Sequence, residues 1–60
     1  MLSAERLDQL QKLAERKGRS LRKEAENVGF GRHWGIEFMR DDTADRLEKW
    51  LLSFPDKATR

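Results

Sequence analysis

The sequence predicts an all-α fold, a compact four-helix domain containing a helix-turn-helix. Three observations predict it. Apolar residues recur at three- and four-residue spacing, the period of a helix face. Serine and glycine fall where such helices would begin and end. No stretch alternates apolar and polar residues as a half-buried strand would.

The first helix is expected to begin after Ser3, a plain N-cap because Arg6 rather than Glu or Gln stands three residues on. Leu7, Leu10, Leu13 and Ala14 form its apolar stripe. Arg16 and Lys17 complement the helix dipole in the last turn, and Gly18 suits a left-handed cap. Ser20 caps a short second helix whose buried face is Leu21, Ala25 and Val28, and Gly29 ends it. Gly29-Phe30-Gly31 then reads as a tight turn with Phe30 pointing inward. A third helix is expected over Arg32–Arg40, because Trp34 and Phe38 share a face with Phe30 and Ile36 and Met39 are also apolar. Gly35 inside it costs about 1 kcal/mol relative to alanine. Asp42 or Thr43 caps the last helix, where Leu47, Trp50, Leu51 and Phe54 give the cleanest amphipathic signal in the chain, and Pro55 stops it. Residues 1–54 therefore form one helical domain, with the helix-turn-helix at about 20–40 and a flexible C-terminal tail at 55–60.

Sixty residues allow a single modest core, since a chain of this size buries only about 60% of its unfolded surface. With no cysteine and one histidine, His33, neither a disulfide nor a metal site is expected to staple it. The lack of cysteine fits a reducing compartment. Met1–Leu2 runs straight into polar residues, and no apolar run approaches the roughly 18 residues of a membrane span. The expected location is cytoplasmic, away from any membrane.

The net charge of +2 is unevenly spread. Residues 12–32 carry seven bases (Lys12, Arg16, Lys17, Arg19, Arg22, Lys23, Arg32) against three acids, whereas 37–49 carry five acids (Glu37, Asp41, Asp42, Asp45, Glu48) against three bases. A basic end suits a polyanion, although such runs are more often solvated helix faces. Catalysis is not expected: no nucleophile neighbours a base, no phosphate-cradling glycine loop is present, and the chain is too short to enclose a pocket. Asp41-Asp42 reads as helix capping. No cofactor and no small-molecule substrate are expected.

Two short helices joined by a glycine-centred turn make a helix-turn-helix unit, in which a small residue (Ala25) sits at the crossing and an apolar one (Phe30) plugs the space after the turn. With Leu7, Leu10, Leu13-Ala14, Gly18, Ser20-Leu21-Arg22, Ala25-Glu26, Val28-Gly29-Phe30, Arg32, Trp34, Phe38 and Arg40 in this order, the chain resembles the lambda-repressor-like helix-turn-helix domains of phage repressors, Cro-type proteins and bacterial regulators over residues 3–54. It departs from their pattern at Glu24, where leucine is usual, at Gly35, where a bulky apolar residue is usual, and in having four helices where many have five. The resemblance implies a transcriptional regulator that binds double-stranded DNA. Arg32, His33 and Glu37 would face base edges in the major groove. Arg19, Ser20, Arg22, Lys23 and Arg40 would hold phosphates.

The alternative is a helical protein-interaction module with no nucleic-acid role, a class that includes dimerising and designed mini-proteins. Tryptophan at a place such as Trp34 is more often core than contact, yet its flanking glycines also suit an exposed aromatic loop. Trp34, Leu47, Trp50, Leu51 and Phe54 are the candidate dimer or partner surface. A ribbon-helix-helix reading of Leu10–Val28 fails for want of a strand before it.

Overall fold

The computed structural model describes residues 1–57. Three helices, α1 (Ala4–Arg16), α2 (Leu21–Asn27) and α3 (Asp41–Leu52), pack against one another, and a single 3-10 turn at Ile36–Phe38 lies between α2 and α3. Among the described residues there is no strand. The radius of gyration, 11.0 Å, is close to the roughly 10 Å of a folded chain this long.

Local chemistry sets the ends of α1 and α2. Ser3 accepts a hydrogen bond from Arg6 N at 3.1 Å and Ser20 one from Lys23 N at 3.3 Å, so each hydroxyl satisfies an N–H that the helix leaves without a partner. Gly18 and Gly29 follow the two helices with φ of 70° and 101°, the left-handed region that disfavours side chains. α3 starts differently from expectation. Its cap is Arg40, which makes no side-chain capping hydrogen bond, while Asp41 and Asp42 occupy the first turn, where their charge favours the dipole.

Each helix brings one fully buried alanine to the centre, Ala14, Ala25 and Ala44. These small side chains let the helices approach closely, and Leu2, Leu10, Leu21, Val28, Leu47 and Leu51 fill the space around them. Leu47 and Leu51 are wholly enclosed. They hold the domain together and are not available as the dimer seam that the amphipathic pattern suggested.

The third of the four expected helices, over Arg32–Arg40, is not formed. Residues 31–35 run as turns and extended chain, and only Ile36–Phe38 winds, as one 3-10 turn. Gly31 and Gly35 each weaken a helix by about 1 kcal/mol, and Gly35 and Met39 both take extended backbone (ψ 153° and 143°). Extension at Met39 drops its side chain into the core. The turn is tied to the N-terminus by Leu2 N, which donates to Glu37 O at 2.8 Å. Because the Arg32–Arg40 helix is absent, the helix-turn-helix expected at 20–40 lacks its second helix. The start of the expected tail is also anchored: Lys57 N donates to Arg16 O at 2.8 Å, and Asp56 pairs with Lys17 at 2.7 Å. Residues 58–60 of that tail lie outside the described residues.

Candidate functional site

The most exposed aromatic groups in the fold lie on the segment that failed to become a helix. Trp34 is 62% exposed and Phe38 48%. Their rings meet edge to face, 6.2 Å between centroids at 68°. With half-buried Phe30 they line an open groove of about 350 Å³ that also touches Arg40 and Thr43. The expectation that Phe30, Trp34 and Phe38 share one face holds, but a loop brings them together.

Arg22 holds that loop in place. Its guanidinium donates to the carbonyl oxygens of Gly31, Arg32 and Trp34. In a helix those oxygens would accept from N–H groups four residues on, so Arg22 replaces the helical partners with one planar fork of donors. Glu26 steadies the fork from one side at 3.7 Å, and the Phe30 ring lies 5.7 Å from it. Phe30 N closes the turn onto Ala25 O at 3.0 Å.

The residues expected to contact DNA are distributed unevenly by this arrangement. Arg32 and His33 are exposed on the loop, where a helical first turn had been expected, and Glu37 is exposed on the 3-10 turn. Lys23 is exposed on α2, and Ser20 is at the cap of that helix. Arg40 is exposed, 3.8 Å from Asp42. Arg19 and Arg22 are turned to internal work. Arg19 pairs with Glu24 at 2.8 Å and lies over the Phe54 ring at 4.3 Å. Of the candidate partner surface, Trp34 is open and Trp50 is 40% exposed, with Phe54 half-buried against it edge to face at 5.5 Å.

Glu24 was missed as a structural centre. It is 2% exposed, and its carboxylate takes three hydrogen bonds: Trp50 Nε1 at 2.6 Å and Asn27 Nδ2 at 3.1 Å on Oε1, and Arg19 Nε at 2.8 Å on Oε2. Burial pushes this carboxyl up, but the bonds from Trp50, Asn27 and Arg19 together with the Arg19 charge outweigh it and hold the pKa below its ordinary 4.5. The signal was present in the sequence, since Glu24 stands three residues after Leu21 and four before Val28, on the buried stripe of α2.

Fold and surface together define a small all-α domain that presents a stapled aromatic loop. No family model matches the chain, and no curated protein or solved structure does either. Among the described residues no helix is long and apolar enough to cross a membrane, and no three metal-ligating side chains converge.

Proposed function

We propose that this domain is a protein-interaction module that captures an apolar side chain of a partner in the groove of Phe30, Trp34 and Phe38. The observation that carries this reading is that two large aromatic side chains stand open to solvent on a loop whose backbone is pinned by Arg22. Clustered exposed aromatics are characteristic of contact surfaces, and tryptophan is among the commonest residues to dominate interface energy. The pinned backbone lowers the entropy lost when a partner docks.

Panning a random peptide display library on the domain tests the reading. Enriched peptides are expected to bind Trp34→Ala about 30-fold more weakly, the loss corresponding to a dominant interface residue. The variant should keep its thermal stability within about 0.5 kcal/mol, because Trp34 is a surface residue. Failure to enrich any peptide, or equal binding to the variant, would overturn the proposal.

A second reading, double-stranded DNA binding by a small regulator, rests on a different observation. The Arg22 bonds tie the backbone of the 31–34 loop, which carries Arg32 and His33, to α2, the helix that carries Lys23. Among the described residues neither Lys23 nor Arg32 pairs with a carboxylate. These cations supply phosphate contacts, with the loop in the place of a groove-reading helix. Titration with a random-sequence duplex should show saturable binding that weakens steeply with log salt, and Lys23→Ala should reduce that slope by about one. Absence of binding in about 50 mM salt would eliminate this reading.

A further inference from the structure

The two tryptophans occupy different surfaces, and the second surface is a groove in its own right. Trp50, Asn27, Val28, Arg46, Lys49 and Ser53 line about 600 Å³ between the end of α2 and the last turns of α3. Its floor is preorganised. The Trp50 indole is fixed from below by the hydrogen bond to buried Glu24, and Phe54 packs against its ring. Arg46 is fixed as well, since Nη1 donates to Val28 O at 3.1 Å.

The charge of this groove is one-sided. Arg46 and Lys49 flank the indole, and among the described residues neither has a carboxylate within ion-pair distance. On α3, Asp45 and Glu48 are both held by Arg6 at 2.8 Å, and Asp42 lies 3.8 Å from Arg40. Beneath the floor, Glu24 is neutralised by Arg19. The groove between α1 and α3 differs, because its cations Arg6, Lys12 and Arg16 each face an acid already.

We propose that the Trp50 groove is a second docking surface, for an acidic peptide segment carrying a bulky apolar side chain. The apolar side chain lies on the indole, and the segment's carboxylates meet Arg46 and Lys49 as charge-assisted hydrogen bonds. The rigid indole gives affinity, and the unpaired cations give selection for acid-flanked sequences. This site does not depend on the Trp34 groove.

The two indole N–H resonances separate the sites, since each groove holds one tryptophan. The probes are three synthetic peptides with the same central Leu-Phe-Leu, flanked by aspartates, serines or lysines, titrated into ¹⁵N-labelled protein. The aspartate peptide is expected to shift the Trp50 indole signal saturably, with at least five-fold tighter binding than the serine peptide, and the lysine peptide to leave it unmoved. Lys49→Glu, a surface change whose fold is checked by circular dichroism, should weaken the aspartate peptide at least ten-fold. An unmoved Trp50 signal, equal binding of all three peptides, or an unchanged affinity in Lys49→Glu would overturn the proposal. A shift at Trp34 alone would do so too, while leaving the aromatic-loop reading intact. A shift at Trp50 alone would support this site and count against that reading.

Discussion

Glu24→Ala is expected to lose about 2–3 kcal/mol, because it removes a buried carboxylate that accepts three hydrogen bonds, while its ion-pair partner Arg19 stays half-exposed to water. At roughly 0.05–0.15 kcal/mol per residue, a sixty-residue domain has only about 3–9 kcal/mol in total, so this variant should lose a large share of its stability. The loss has two sources. Trp50 Nε1 and Asn27 Nδ2 lose their acceptor, and Arg19 loses its counter-charge. Glu24→Gln should be milder, because the amide oxygen still serves Trp50 and Asn27 while its NH₂ faces the Arg19 donor. Urea unfolding followed by far-ultraviolet circular dichroism ranks the two, and equal loss in both would contradict the assigned bonding. The same carboxylate predicts an acid limb. Its folded pKa lies below the ordinary 4.5, so its stabilisation is fully present above that value and is lost as pH falls through the lower, folded value. The stability gap between wild type and Glu24→Gln should therefore narrow below pH 4.5, and a constant gap would show that Glu24 does not titrate as described.

Met39→Ala should lose about 2–5 kcal/mol, the range for truncating an enclosed side chain and leaving a cavity. Met39 is wholly buried although it belongs to no helix. Its backbone bond, Met39 N to Ile36 O at 3.0 Å, closes the 3-10 turn, so the side chain ties the aromatic loop to the core. Met39→Leu conserves volume and should cost less than about 1.5 kcal/mol. The measurement is the urea midpoint of both variants, and a loss below about 1 kcal/mol for alanine would mean the site collapses without a cavity. Weaker docking at the Trp34 groove by Met39→Ala, at a temperature where it remains folded, would locate the coupling in the turn.

Much of the scaffold was legible in the sequence. Ser3 and Ser20 cap because a hydroxyl one residue before a helix reaches a free N–H, a contact within four residues that needs no tertiary partner. Gly18 and Gly29 take positive φ for an equally local reason. The stripes Leu10–Ala14, Leu21–Ala25 and Leu47–Leu51 face the core because helical spacing puts them on one side. At Arg32–Arg40 apolar spacing favours a helix, while Gly35 inside the segment and Gly31 just before it oppose one.

The positions of α1 and α2, their serine caps and the apolar stripes of all three helices were thus determined by the sequence alone, because each depends on residues within a turn or two of one another. The fate of residues 31–39, the exposure of Trp34 and the bonding of Glu24 to Trp50 were decided by tertiary structure. Arg22 crosses nine to twelve residues to take the loop's carbonyls. Trp50 crosses twenty-six to reach Glu24. Contacts of that span outweigh local preference, since a buried polar group or an unpartnered carbonyl costs more than the fraction of a kcal/mol by which most residues favour one backbone conformation over another.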